Sequence, residues 1–114
     1  MQSLIQLMGA ILTALGALLC LRWWIFWKNH YRGELITYGP YAYVRHPFYA
    51  SFLLLVVGLT LLITIPETLI LLLMSLAIIP IHIRGEEREL LRRYGEAYRR
   101  YMRRVRWRLI PGIY

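Results

Sequence analysis

The chain has 114 residues, a net charge of +8 and 59% hydrophobic residues, so it holds at most one domain, 1–114, with no length left for a separate soluble catalytic unit. Three long apolar runs place it among membrane proteins. Its basic residues are tied to those runs and interleaved with glutamates, which argues against nucleic-acid binding and makes anionic lipid headgroups the nearer partner.

The first run, Leu4 to Leu21, is preceded by Met1, Gln2 and Ser3 without a Lys or Arg, and no small-residue cleavage site follows; it reads as a span and not as a signal peptide. Cys20, the single cysteine, excludes a disulfide or a cysteine cluster within one chain. Trp23, Trp24, Phe26 and Trp27, between Arg22 and Lys28, read as an interfacial aromatic belt whose role is anchoring. Residues 28–46 then form a loop that ends in Gly39-Pro-Tyr-Ala-Tyr-Val-Arg-His-Pro-Phe-Tyr49. This segment joins turn formers, aromatic rings and cations to a helix start at Pro47, a combination suited to holding a charged, nucleotide-like molecule where lipid meets water.

The runs Phe48 to Ile65 and Leu69 to Ile83 are separated only by the Pro66-Glu67 turn signal and predict a tight helical hairpin. Beyond it, Glu87, Leu90, Leu91, Tyr94, Tyr98, Tyr101, Met102 and Val105 recur at helical spacing. That stripe predicts an amphipathic tail lying on the membrane surface with its apolar face inward, stopped or kinked at Gly95. Glu89 with Arg93 and Glu96 with Arg100 are spaced as i, i+4 surface pairs. The predicted fold is therefore an all-α integral membrane protein with three transmembrane helices, about 3–27, 47–65 and 67–85, and a C-terminal amphipathic helical tail over 86–114.

All 14 Lys and Arg fall in two segments, four from Arg22 to Arg45 and ten from Arg84 to Arg108. The positive-inside rule then sets the N-terminus and the hairpin turn outside, with the motif loop and tail cytoplasmic. Glu86 and Glu87 stand where the third helix leaves the bilayer, and such a carboxylate requires a partner: an arginine, Arg45 or one of the tail, or else the amine or hydroxyls of a ligand. His30, His46 and His82 have no paired-ligand spacing, so no metal site is expected, and Ser51 and Ser75 lack a nucleophile-elbow setting.

Taken in order, Leu35-Ile36, Gly39-Pro40-Tyr41, Arg45-His46-Pro47-x-Tyr49, Glu86-Glu87-x-x-Leu90, Tyr94-Gly95, Tyr98 and Tyr101 resemble the C-terminal half of the isoprenylcysteine carboxyl methyltransferase and phospholipid methyltransferase superfamily, over about residues 33–111. The resemblance implies S-adenosylmethionine as methyl donor, in a cytoplasmic pocket closed by the tail, and a lipophilic or lipid-linked acceptor entering from the bilayer. Carried over by position, it implies cofactor contacts at Gly33, Glu34, Leu35, Ile36, Tyr41, His46, Pro47, Phe48, Tyr49 and Glu86. Where the isoprenylcysteine branch has a substrate-binding arginine this chain has His82, with Arg84 two residues on, and these two are the candidate substrate-binding residues.

Methyl transfer from a sulfonium is an in-line displacement needing no metal, so the protein must align the reactants and exclude water. An amine acceptor would also need a base, for which Glu86, Glu87 and His82 are candidates, with Arg45 as a further catalytic candidate. Two other readings compete. An NADPH-dependent sterol-type reductase resembles the same core but usually carries an aspartate-containing tail pattern, and this chain has no aspartate. A non-catalytic membrane protein binding anionic lipid accounts for the tail but gives Gly39 to Tyr49 no purpose.

Overall fold

A computed structural model of the protein describes residues 2–110 and 113–114; Pro111, where the resemblance ends, lies outside them. Among the described residues all regular structure is helical: α1 (Gln2–His30), a short 3-10 turn (Gly39–Ala42), α2 (Pro47–Leu62), α3 (Pro66–Tyr94) and α4 (Glu96–Arg104). The molecule is elongated, 50 × 26 × 24 Å, as expected of apolar helices laid side by side.

Two helices, α1 and α3, are long and apolar enough to cross a membrane, where three crossings were expected. The reason lies at Pro66. A residue before proline is driven out of the α region, and Ile65 is accordingly extended at φ −129°, ψ 163°. Helix α2 therefore closes at Leu62, with Ile63 as its C-cap, and its 16 residues span about 24 Å against the roughly 30 Å of a hydrocarbon core. Pro66 in turn starts α3 at a position where a missing N–H costs nothing. Thr60 Oγ1 donates to Val56 O at 2.8 Å and to Thr68 O at 3.3 Å, tying α2 to α3 across this turn.

Helices α1 and α2 run antiparallel and touch through glycines. A Cβ at Gly16 would lie 2.5 Å from the Leu55 backbone nitrogen, and one at Gly58 would lie 2.7 Å from Thr13 Oγ1. Bare Cα–H surfaces let the two backbones come together where neither helix has a polar face to offer. Hydroxyls in this region are satisfied within their own helix, the half-buried Thr13 to Gly9 O at 2.7 Å and the buried Ser51 to Pro47 O at 2.9 Å.

The third helix does not stop where the apolar sequence does. It continues past Ile83 through the charged residues to Tyr94, with Pro80 accommodated inside it. Gly95 then breaks the chain as anticipated, at φ +57°, a backbone state that residues with a Cβ rarely adopt. The apolar stripe of the tail faces protein and not lipid, which corrects the expected membrane-surface helix. Tyr98, Tyr101 and Val105 form a buried cluster with Leu35 and Tyr41 of the motif loop and Leu90 and Leu91 of α3. Amphipathic spacing demands that one face be covered, and the motif loop is close enough to cover it.

Candidate functional site

The motif loop and the tail are held together by backbone as well as side chains. Arg45 N–H donates to Trp107 O and His46 N–H to Arg108 O, each at 2.9 Å. The Arg45 guanidinium then collects the carbonyls left open at the end of α4, with Nε to Val105 O at 2.8 Å and Nη2 to Met102 O and Arg106 O, both at 3.3 Å. Tyr101 donates to Tyr41 O at 2.6 Å and Tyr94 to Gly33 O at 2.9 Å. Leu109 completes the joint by packing on Ile79 and Ile83 of α3.

Glu87 is the centre of this joint. Its carboxylate accepts from His46 Nε2 at 2.9 Å, from Arg45 Nη1 at 3.3 Å and from Arg108 Nε at 3.2 Å, and its side chain is only 7% exposed. Burial alone would raise its pKa, but the hydrogen bonds and charges of His46 and Arg108 outweigh burial and hold the carboxyl at about 2. A carboxylate in that state only accepts, so His46 Nε2 carries the proton and the ring's other nitrogen, Nδ1, faces Glu86 Oε2 at 3.9 Å. Of the two partner classes open to these glutamates in the sequence, Glu87 has the arginines.

Glu86 has neither arginine. Adjacent helix residues point about 100° apart, and Glu86 turns into a cavity of about 450 Å³, where it accepts a 2.6 Å hydrogen bond from the Tyr49 hydroxyl with 45% of its side chain exposed. The volume is within the range of small-molecule sites. Glu34, Leu35, Ile36, Tyr41, His46, Pro47, Phe48, Tyr49 and Glu86 all line this cavity, together with Arg45. Gly33 does not line it; its carbonyl instead holds Tyr94, which does. His82 and Arg84 are exposed and lie outside the lining, and Glu87 is enclosed behind it. Of the three groups considered as bases, Glu86 alone reaches the cavity.

Several lining residues were not among the expected cofactor contacts. Trp23, Trp24 and Trp27, assigned an anchoring role, form one wall, and Tyr31 just after α1, Glu89, Leu90 and Tyr94 of α3, and Tyr98 and Tyr101 of α4 complete it. Lys28 Nζ sits 5.0 Å over Trp24 and Arg22 5.4 Å from Trp23, so cations flank the tryptophans. The signal for this wall was the crowding of three indoles into five residues just ahead of the motif loop, more than one interfacial anchor requires. Burial, reinforced at Tyr98 by the charge of Glu87, raises the phenol pKa values of Tyr98 and Tyr101, so both keep their protons. The exposed glutamates pair differently from expectation: Glu89 with Arg92, and Glu96 with Arg103 at 3.0 Å and Arg99 at 3.8 Å. With arginines at nearly every surface position, spacing alone does not select the partner, and each such pair is worth under about 1 kcal/mol.

No curated protein and no solved structure matches the chain. The model of the isoprenylcysteine carboxyl methyltransferase family matches residues 4–92, taking in α1, the motif loop, α2 and nearly all of α3, and ending just before the Gly95 break. The match covers most of the chain and includes every element that brings Glu86, Tyr49 and the tryptophan wall around one cavity. The protein therefore belongs to the isoprenylcysteine carboxyl methyltransferase family, a family of membrane methyltransferases.

Proposed function

We propose that the protein is a membrane methyltransferase that uses S-adenosylmethionine and acts on a lipophilic or amphipathic acceptor. The observation that carries this reading is the Glu86 carboxylate, fixed by Tyr49 and open to an aromatic cavity at the polar end of apolar helices. The donor set fits the group: a carboxylate with free lone pairs suits an amine or ribose hydroxyls, tyrosine and tryptophan faces suit a sulfonium, and the Arg45 and His46 end suits a carboxylate. The bound cofactor would supply an activated methyl group. The residues of this chain would align and enclose. Glu34, Leu35 and Ile36 of the motif loop together with Tyr94, Tyr98 and Tyr101 restrict water, and the Trp23, Trp24 and Trp27 wall offers an apolar approach from the bilayer side. If the acceptor is an amine, Glu86 is the group placed to take its proton.

A ligand that prefers the folded state stabilises it by mass action. Thermal unfolding of the purified protein should therefore shift upward with S-adenosylmethionine or its demethylated product and not with NADPH. A shift with NADPH alone would replace this reading with the reductase one, and no shift with any of them, alongside binding to anionic vesicles, would favour the lipid-binding reading.

A further inference from the structure

Three tyrosines of the cavity wall spend their hydroxyls on protein acceptors, and one hydroxyl among the described residues of the wall is both buried and unpaired. Tyr49 donates to Glu86, Tyr94 to Gly33 O and Tyr101 to Tyr41 O. Tyr98 is 1% exposed, its ring packed beside Tyr101 and against Leu90, Leu91 and Tyr94, yet its hydroxyl is buried and has no hydrogen-bond partner among the described residues. Such a group is rare, because desolvation of the hydroxyl goes uncompensated. A phenylalanine would pack as well and avoid that cost. The Tyr114 hydroxyl also has no hydrogen-bond partner among the described residues, but Tyr114 lies over Arg108 and does not line the cavity. Tyr98 does line it, in company with Arg45 and His46.

Burial keeps the Tyr98 proton in place, so the hydroxyl is a standing donor in want of an acceptor. Arg45 also lines the cavity and its positive charge reaches the Tyr98 hydroxyl, so this end of the cavity offers a cation to an anionic oxygen. We infer that the Tyr98 hydroxyl donates a hydrogen bond to the carboxylate of a bound S-adenosyl amino acid, so that α4 grips the ligand's amino-acid end as well as walling the cavity. The inference rests on the methyltransferase reading and adds to it a binding group from the stretch that follows the family match.

Calorimetric titration of the full-length protein in detergent, wild type and Tyr98→Phe, with S-adenosylhomocysteine and with 5′-methylthioadenosine, tests it, because only the first compound has the carboxylate. The variant should bind S-adenosylhomocysteine about tenfold more weakly and methylthioadenosine unchanged, with a ligand-free melting temperature equal to or above that of wild type. Equal loss for both compounds would assign the hydroxyl to the adenosine end, and unchanged binding or a lowered ligand-free melting temperature would leave it a packing role; each overturns the inference. Failure of the wild type to bind either compound would overturn the methyltransferase reading itself, and this inference with it.

Discussion

Glu86 and Glu87 are neighbours with opposite duties, and the helical rotation between them is what separates the two. Glu87 sits inside a cage of His46, Arg45 and Arg108 and joins α3 to the motif loop and the tail, whereas Glu86 meets Tyr49, the other edge of the His46 ring and the cavity. Glu86→Gln keeps the shape of the side chain and leaves no buried cation unpaired. The expected outcome is a loss of roughly 1.5–3 kcal/mol in binding of S-adenosylmethionine, about ten- to a hundredfold in affinity, with the ligand-free melting temperature unchanged; titration calorimetry and a thermal melt measure the two. Glu87→Gln should do the reverse. It strands Arg45 and His46, both nearly buried, and should cost roughly 3–5 kcal/mol of stability by denaturant titration. The pH dependence has a defined sign. Glu87 has a folded-state pKa of about 2, below its ordinary 4.5, so its contribution is complete above about 4.5 and is lost as the pH falls toward 2. Melting temperature followed from pH 5 to pH 2 should fall in the wild type and fall less steeply in Glu87→Gln.

At the scale of the element, the contact between α1 and α2 depends on what is missing from Gly16 and Gly58. A side chain at Gly16 would meet Leu55 backbone, which has no rotamer to change, so the helices would have to move apart. Gly16→Leu should therefore destabilise by about 1–3 kcal/mol or more and, by tilting α2, displace Pro47 and Tyr49 at its cavity end. Denaturant titration reads the first effect and weakened S-adenosylmethionine binding the second. Polar→apolar changes at Arg88, which is exposed on α3 and away from the cavity lining, serve as the control and should leave binding as it was. Gly95 acts differently, through its backbone. Nothing crowds its Cα, and the left-handed φ alone turns the chain so that α4 folds back over the motif loop.

At the scale of the whole molecule, the antiparallel packing of α1 with α2 and the hairpin between α2 and α3 bring both basic segments to one end and the N-terminus and the Pro66 turn to the other. The positive-inside rule then makes a topological prediction, in which α2 returns the chain to the outer face although it is shorter than the hydrocarbon core. In a Cys20→Ser background, Glu67→Cys should react with an impermeant maleimide in intact cells and Ile113→Cys only after permeabilisation; the reverse would invert the assigned orientation. What the sequence determined by itself was the content of this arrangement: helices where apolar residues run long, breaks at Pro66 and Gly95, a one-sided distribution of charge and the motif that names the family. These are local matters, set by backbone sterics and by hydropathy along the chain. The tertiary structure alone decided that the tail's apolar stripe rests on Leu35 and Tyr41 and not on lipid, which of two adjacent glutamates is sealed and which is open, and that three tryptophans from α1 face the cavity. Periodicity states that a face must be buried and a charge must be paired; the partner depends on which distant segment arrives beside it, and that information is carried by no single stretch of the chain.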